Sequence, residues 1–339
     1  DAPPPSFPAK LLALLYERYH SLGKENAPGF IIVPTELISN NGDELKKVVL
    51  QLARLNECSD DFIQWLTSAN RFCNSLVDRI VTGKPAPQKM TEHWEVLGYE
   101  DELLIECEPY LLWAIEGDEA VQQRLSFAQE GNGVVVAHSI EKFKELKLRL
   151  LNGVHSFICG KAFLEGFEFV KDAMADEQMR RTISHLLLEE IAPTLSYDKN
   201  EVMRFAQSVL ERFANPFIEH RWQAITLNYT QKMATRNIAT LQRWYATNHQ
   251  PPMRMAECFA WYLKFMHPVA QKGNEWTAEY KGRQYCINDP EAERFYRLHQ
   301  QHKDAAFVQA VLQQSDLWGM DLTSFPGFEK EVAQFYLQL

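Results

Sequence analysis

Residues 30–33 read Phe-Ile-Ile-Val, a continuous apolar run that is typical of a strand buried on both faces of a parallel sheet. Before this run, residues 11–16 carry the apolar pattern of an amphipathic helix that Gly23 ends. After it, Asn41-Gly42-Asp43 opens a second helix, which continues to Leu55. The run therefore predicts a strand between two helices.

The same alternation continues along the first 140 residues. The next segments are a helix over 60–72 and strand-like runs at 76–81, 103–108 and 134–137. This order predicts an α/β domain over residues 1–140, the remainder of a Rossmann-like fold. No G-x-G-x-x-G motif, which would hold a dinucleotide pyrophosphate, occurs in the sequence.

The rest of the chain has a helical pattern. No glycine lies between Gly166 and Gly273. Apolar residues recur there with helical spacing, as in Met174, Ile183, Leu186, Leu187, Ile191, Val202, Phe205, Val209 and Phe213. We therefore predict an all-α domain over residues 141–339.

The amino-acid composition argues against several classes of protein. The 339 residues are 46% hydrophobic, enough to bury cores, so a disordered protein is excluded. The net charge of −10 argues against a general nucleic-acid or anionic-membrane surface, although a pocket can still hold local positive charge. No apolar run approaches the length of a membrane span, and the six scattered cysteines indicate reduced, buried thiols. We expect a cytoplasmic protein.

One segment carries a candidate catalytic group. On an α-helix, Lys147, Asn152 and His155 share one arc, because His155 lies about 80° and Asn152 about 140° round from Lys147. Leu151 and its apolar neighbours fall within about 40° of the lysine. Desolvation on this apolar stripe would lower the pKa of the lysine toward a useful acid/base value. A lysine that extends to solvent beside a core histidine fits the same spacing, and this alternative stays open.

The string Lys147-x4-Asn152-x2-His155 resembles the catalytic helix of the long-chain, metal-independent mannitol dehydrogenase family. Further motifs that resemble those of the family are Asn74-Ser-Leu-Val-Asp78-Arg-Ile80, Asn215-Pro216 with Lys232 seventeen residues after Asn215, Ser6-Phe-Pro-Ala-Lys10, Pro34-Thr-Glu-Leu-Ile38, Asn41-Gly-Asp43 and Asp321-Leu-Thr323 with Pro326-Gly327. They occur in order from one end of the chain to the other, which makes the resemblance specific.

The resemblance implies an NAD-dependent reduction of a keto-uronate, tagaturonate, to an aldonate in hexuronate catabolism. Lys147 would act as the acid/base, Asn152 would hydrogen-bond the developing alkoxide, and His155 would hold a neighbouring hydroxyl. Asp78 would contact substrate or nicotinamide, and Lys232 would give substrate a positive contact. The family needs no metal, and residues 1–140 would belong to its NAD-binding domain.

Two departures from the family pattern bear on the substrate. Glu36-Leu37 stands where mannitol dehydrogenases carry an Asp-Asn pair, so Glu36 is a candidate substrate-binding residue. If it lies beside Lys147, its charge raises the pKa of that lysine. Ala224 replaces a family arginine, which leaves Arg221 and Arg236 as candidates to bind a carboxylate. Each arginine is also explained by the ordinary alternative, a surface position without a role in binding.

The resemblance also leaves questions open. The family's first strand, glycine loop and helix are not found in these residues, so we expect the main phosphate-binding loop, in roughly 100 further residues, to lie outside them. Reduction of fructuronate, or of a neutral ketose as by a mannitol 2-dehydrogenase, is an alternative. A non-catalytic helical scaffold derived from such an enzyme is another.

His299 and His302 are three residues apart, but polar neighbours favour a solvated face over a metal site. The sequence does not indicate an oligomeric state or a preference between NAD and NADP.

Overall fold

The computed structural model describes residues 3–23, 27–130, 133–273 and 275–339. The chain divides into two compact units, the first Asp1–Ile80 with Pro109–Lys144 and the second Val81–Glu108 with Glu145–Leu339. A single boundary at residue 140 was expected. The second unit resumes at Glu145, close to that residue, and residues 81–108 are also grouped with it, so each unit consists of two separate pieces of chain.

The first unit combines helices with short strands. In chain order its elements are α1 (Phe7–Ser21), β1 (Ile31–Ile32), α2 (Asn41–Leu55), α3 (Asp60–Ser68), β2 (Arg71–Phe72), β3 (Ser75–Asp78), β6 (Leu112–Glu116), α5 (Glu119–Arg124), a 3₁₀ turn (Ser126–Glu130), β7 (Val134–Ala137) and α6 (Glu141–Leu146), which ends two residues inside the second unit. Its strand β1 pairs in parallel with β2, whereas β3 runs antiparallel to β6 and β6 runs parallel to β7. The predicted α/β character and the bounds of α2 and β7 are confirmed.

Two expectations for this unit need correction. The run at residues 30–33 is only partly buried, because β1 is short and pairs with β2 alone among the described strands. The helix expected over residues 60–72 ends at Ser68. The buried Asn70 accepts a hydrogen bond from Phe30 N at 2.9 Å and donates to Leu66 O at 3.4 Å. These hydrogen bonds connect the end of α3 to the residue before β1, and the chain then continues into β2.

The side chain of Asn41 connects the start of α2 to two other segments. Its Nδ2 lies 3.0–3.1 Å from the carbonyl oxygens of Pro34, Glu36 and Ser75, and its Oδ1 accepts from Ser75 N at 2.9 Å. Gly42 is required beside it, because a Cβ there would lie 2.5 Å from the carbonyl carbon of Cys73. The Asn41-Gly42 and Asn74-Ser75 motifs are therefore two halves of one structural joint.

We expect Asn41→Ala to lower the free energy of unfolding by about 2–3 kcal/mol, because it removes the acceptor of the buried Ser75 N and the amide donor shared by three carbonyl oxygens. Urea unfolding would measure the loss. Asn56→Ala is the matched control, since Asn56 is exposed at the other end of the same helix and donates only to Leu52 O. Equal effects of the two substitutions would contradict the role given to Asn41.

The second unit is mainly helical. Its elements are β4 (Val81–Gly83), α4 (Pro87–Leu97), β5 (Glu106–Cys107), a first π segment (Lys147–Gly153), α7 (Val154–Leu164), α8 (Val170–Ala175), α9 (Glu177–His185), a second π segment (Leu186–Ile191), a 3₁₀ turn (Ala192–Thr194), α10 (Lys199–Phe213), α11 (Trp222–Ile225), α12 (Tyr229–Lys232), a third π segment (Met233–Asn237), α13 (Ile238–Thr247), α14 (Met253–Phe265), β8 (Pro268–Lys272), β9 (Glu275–Tyr280), β10 (Arg283–Ile287), α15 (Ala292–Gln301), α16 (Asp304–Leu312), α17 (Ser315–Trp318), a 3₁₀ turn (Leu322–Ser324) and α18 (Phe328–Gln338).

The expectation of an all-α segment over residues 141–339 is wrong, because β8, β9 and β10 form an antiparallel sheet. Lys281 and Gly282 join β9 to β10, both with positive φ (49° and 80°), as a two-residue hairpin turn requires. Burial along β9 alternates, with Ala278 and Tyr280 inside and Glu279 outside. The sequence thus carried a period-two signal here within an otherwise helical pattern.

Other expectations were correct in part. The strand expected at residues 103–108 is reduced to Glu106–Cys107, which pairs with β4. All six cysteines are unpaired, but Cys107 and Cys286 are exposed, contrary to the prediction of buried thiols. Within the described residues, no helix combines the length and the apolar character that crossing a membrane requires.

Candidate active site

Lys147, Asn152 and His155 follow one another on a continuous helical stretch of the second unit. The first π segment carries Lys147 and Asn152, and α7 carries His155. Lys147 and Asn152 are half-buried, whereas His155 is buried. A π turn holds more residues than an α turn, because its hydrogen bonds join residues five apart. The angular positions calculated for an α-helix are therefore wrong for this segment.

The first and third π segments pack against each other at a glycine. A Cβ on Gly153 would lie 3.3 Å from Oδ1 of the fully buried Asn237. From the third segment, Arg236 donates through Nη1 to Ser156 Oγ at 3.1 Å, and Ser156 donates to Asn152 O at 2.9 Å. Arg149 donates to the carbonyl oxygen of Arg236. Non-α turns are often found at functional sites, and here two of them meet beside the predicted catalytic residues.

His155 lies in a largely apolar pocket. Its ring is 5% exposed, stacks on Phe213 at a centroid distance of 4.1 Å, and meets His220 edge-on at 5.1 Å. Among the described residues, His155 Nε2 and His220 Nδ1 have no hydrogen-bond partner. Burial, with a smaller contribution from the nearby His220, Arg236, Arg212 and Lys232, lowers the pKa of His155 well below its usual value. The imidazole is thus neutral and free to hydrogen-bond a hydroxyl group.

Lys232 and Arg236 bring positive charge to this pocket. Lys232 ends α12 and donates from Nζ to Ile225 O at 2.8 Å, and Arg236 lies one turn later. Both are half-buried, and burial lowers the pKa of each; the Arg236 charge further lowers that of Lys232. The charge of Lys232 makes a small contribution to lowering the pKa of His155, and the substrate role expected for Lys232 stays a prediction.

Sequence reasoning missed two buried cations near this pocket. Arg212 makes a bidentate ion pair with Glu108, with Nε–Oε2 at 3.0 Å and Nη2–Oε1 at 2.8 Å. Arg149 pairs with Glu145 at 3.5 Å. Arginine in the middle of an apolar helical pattern was the available signal, because such residues are almost never fully buried unless paired.

Asp78 and Glu36 belong to the first unit. Asp78 is buried at the last position of β3, opposite Leu112 on β6. The side chain of Glu36 is exposed in the loop after β1, where its carbonyl oxygen accepts from Asn41. The substrate roles expected for both residues, and the cofactor role expected for Asp78, stay predictions.

The other residues that the sequence suggested as binding or metal-ligating groups make contacts with neighbouring side chains or backbone. Arg221 is exposed, pairs with Glu168 and covers the ring of Phe169 at 4.7 Å. Asn215 accepts a hydrogen bond from Phe217 N at 3.0 Å. The ring of His299 is stacked between His267 and Phe307, at 3.7 and 3.6 Å. In the part of the chain that the structure describes, no three His, Cys, Asp or Glu side chains are grouped as a metal ion would need.

Acidification from pH 6.5 to 5 is expected to destabilise the folded chain through its buried histidines. Burial lowers the pKa values of His155 and His220, whereas an unfolded histidine titrates near 6.5. Below pH 6.5 the unfolded state therefore binds more protons, and the free energy of unfolding falls by at most about 1.4 kcal/mol per pH unit for each such group. Well above pH 6.5 these histidines are neutral in both the folded and the unfolded state, so the stability lost on acidification is fully present there.

Urea unfolding at pH 5, 5.5, 6.5 and 7.5 measures this dependence. His155→Phe removes one titrating ring and keeps an aromatic ring against Phe213, so the slope below pH 6.5 should decrease. His249→Gln, at an exposed histidine, should leave the slope unchanged. The same slope in wild type and His155→Phe would show that His155 does not contribute.

The chain matches two models of one protein family over most of its length. A family model described as the mannitol dehydrogenase C-terminal domain matches residues 139–339, and one described as the mannitol dehydrogenase Rossmann domain matches residues 4–129. The altronate oxidoreductase of Halalkalibacterium halodurans is 37% identical over 327 residues, covering 94% of this chain and 64% of that protein. The altronate oxidoreductase of Bacillus subtilis is 35% identical over 338 residues, covering 99% and 67%. The chain thus spans about two thirds of the length of these relatives.

Two solved structures share the fold. The mannitol 2-dehydrogenase of Pseudomonas fluorescens, in a ternary complex with NAD and D-mannitol, superposes with a TM-score of 0.69 at 22% identity, covering 99% of this chain and 64% of that one. A D-sorbitol dehydrogenase in substrate-free form gives 0.74 at 20% identity, with 98% and 64% coverage. The predicted fold class, a Rossmann-type domain followed by a mainly helical one, is confirmed.

Proposed function

This chain belongs to the mannitol dehydrogenase family, and on that premise we propose that the protein is an NAD-dependent tagaturonate reductase, or altronate oxidoreductase. The reaction interconverts a keto-uronate and an aldonate. The observation that carries the proposal is that Arg236 contacts Ser156, the neighbour of the neutral His155, with Lys232 one turn before it. A polyhydroxylated anion needs both features, a hydrogen-bonding group for a hydroxyl and positive charge for the carboxylate. The likeness to altronate oxidoreductases over nearly the whole chain supports the same assignment.

In this proposal Lys147 transfers the proton. When bound, the nicotinamide cofactor supplies the hydride that reduces the ketone carbon. Negative charge then develops on the former carbonyl oxygen, and the ammonium of Lys147 donates a proton to it. In the reverse direction the neutral amine accepts the proton of the alcohol. The half-buried position of Lys147 at the start of the first π segment is compatible with this role.

Asn152 and His155 orient the substrate. The amide of Asn152 donates a hydrogen bond to the developing alkoxide, as a donor in an oxyanion hole does. The chain Arg236–Ser156–Asn152 O fixes the backbone that carries this amide. His155 hydrogen-bonds a neighbouring hydroxyl through Nε2, an atom that forms no hydrogen bond with the described residues.

Substrate or cofactor roles are also proposed for two residues of the first unit. We propose that Asp78 hydrogen-bonds a hydroxyl or amide group of the substrate or the nicotinamide, since a buried carboxylate at a strand end fits such a group. Glu36 is proposed to contact the polyol part of the substrate, because its charge would repel the carboxylate. Its exposure leaves this side chain free to reach a ligand.

The deciding experiment is NADH oxidation by the intact protein with tagaturonate, fructuronate and fructose as separate substrates. Fastest turnover of tagaturonate, by kcat/KM, is the expected result. Preference for fructuronate or fructose would assign the protein to a fructuronate reductase or a mannitol 2-dehydrogenase instead. Turnover of none of the three, together with no NADH binding, would favour the non-catalytic scaffold.

A further inference from the structure

Buried positive charges in the second unit are matched by carboxylates at most positions. Arg212 pairs with Glu108, Arg149 with Glu145, and Lys161 with Glu165. These pairs follow the expected rule, because an isolated buried charge is costly and is normally compensated.

Lys232 and Arg236 depart from this rule. No carboxylate oxygen of the described residues lies within 4 Å of either cation; Lys232 donates to Ile225 O and Arg236 to Ser156 Oγ. The two cations are one helical turn apart, so each makes the other harder to bury. Arg236 uses one of its five N–H donors on Ser156, and the others have no partner among the described residues. Two partly buried positive charges therefore lie side by side without a carboxylate of the described residues at salt-bridge distance.

The surroundings of the pair indicate where a negatively charged ligand group would lie. Arg236 contacts Ser156, the residue next to His155, and its charge lowers the pKa of His155, whose buried Nε2 has no hydrogen-bond partner among the described residues. A ligand that hydrogen-bonds His155 therefore has the Arg236 guanidinium beside it. Arg221, the other arginine that the sequence offers, is exposed and already paired with Glu168.

We infer that Arg236 binds the substrate carboxylate, with Lys232 as the second cation of the same subsite. This assignment rests on the proposed function and identifies the residue that selects an acidic over a neutral sugar. It also explains how the chain binds an anion although Ala224 replaces the family arginine: the guanidinium enters the pocket from a position twelve residues later. Guanidinium is suited to this task because its planar donors match the two oxygens of a carboxylate.

The test compares tagaturonate with tagatose, in which a hydroxymethyl group replaces the carboxylate. Arg236→Gln should raise KM for tagaturonate about tenfold or more, the usual effect of losing a charge-assisted hydrogen bond. KM for tagatose should rise by a clearly smaller factor, the part that comes from positioning Ser156 and Asn152. Arg236→Lys should retain part of the preference, because it keeps the charge and loses the bidentate geometry. Arg221→Gln, the matched control, should leave both KM values unchanged.

Equal losses on the two substrates, or no loss on either, would overturn the assignment, since Arg236 would then only position Ser156 and Asn152 or do neither. Circular dichroism and thermal unfolding show whether Arg236→Gln folds; if it does not, the result for Arg236→Lys decides. Calorimetric binding of altronate and of the corresponding neutral alditol separates this inference from the proposed function. A wild-type protein that reduces no keto-uronate, yet binds altronate through Arg236, would contradict only the proposed function. Altronate binding that Arg236→Gln leaves intact, or none by the wild type, would overturn the inference.

Discussion

Lys147→Ala in the intact protein is expected to lower kcat by a factor of about 10² or more and to leave NADH affinity largely unchanged. Proton donation to the alkoxide is needed only in the transition state, so its loss acts on kcat. Steady-state kinetics with tagaturonate and calorimetry with NADH measure the two quantities. Near-normal turnover would remove Lys147 from the mechanism.

Lys147→Arg separates proton transfer from simple charge. Arginine keeps the positive charge but does not release a proton near neutral pH, so this variant should be about as inactive as Lys147→Ala. The limb of the pH–rate profile that reports the lysine should also disappear. Lys47→Ala is a suitable control, because Lys47 lies exposed on α2 with Glu44 as its partner. If Lys147→Arg keeps full activity, Lys147 acts through its charge alone.

Glu108→Ala is expected to lower the free energy of unfolding by about 3–5 kcal/mol, because it leaves the buried guanidinium of Arg212 without its bidentate partner. The side chains of Glu108 and Arg212 are 1% and 5% exposed, so water does not replace the lost carboxylate. Denaturant unfolding measures the loss directly, independently of any assay of activity.

Two controls define this effect. Glu102→Ala breaks the exposed pair with Lys84 and should cost at most about 1 kcal/mol. The double variant Glu108→Leu with Arg212→Met replaces both charges by apolar groups and should recover most of the stability. A loss in Glu108→Ala no larger than in Glu102→Ala would show that the ion pair is not a main support of the second unit.

Much of the first unit was predictable because its signals are local. The Asn41-Gly42-Asp43 start and the apolar spacing that follows gave the bounds of α2, and the Val-Val-Val-Ala run gave β7. The end of α3 was not predictable, since it depends on Asn70 reaching Phe30, forty residues away. The β8–β10 sheet was missed because a short period-two signal lies within a long helical pattern.

The candidate site, like the fold, was predictable only where its signals are local in the sequence. Motif spacing placed Lys147, Asn152 and His155 on one helical stretch, but no local pattern distinguishes a π turn from an α turn. The choice between Arg221 and Arg236 depended on whether a carboxylate stood nearby, and Glu168 stands fifty-three residues from Arg221 in the chain. Such pairings are properties of the fold and have no counterpart in the order of residues.

The division of the second unit into two pieces has a consequence for synthesis on the ribosome. Residues 81–108 are made before the other piece of the second unit, and Arg212 follows Glu108 by 104 residues. At about 5–20 residues per second, Glu108 waits roughly 5–20 s for its partner. During that interval the bidentate pair between Glu108 and Arg212 cannot form, although β4, α4 and β5 lie within the segment itself. The nascent segment therefore acquires this long-range ion pair only after α10 has been made.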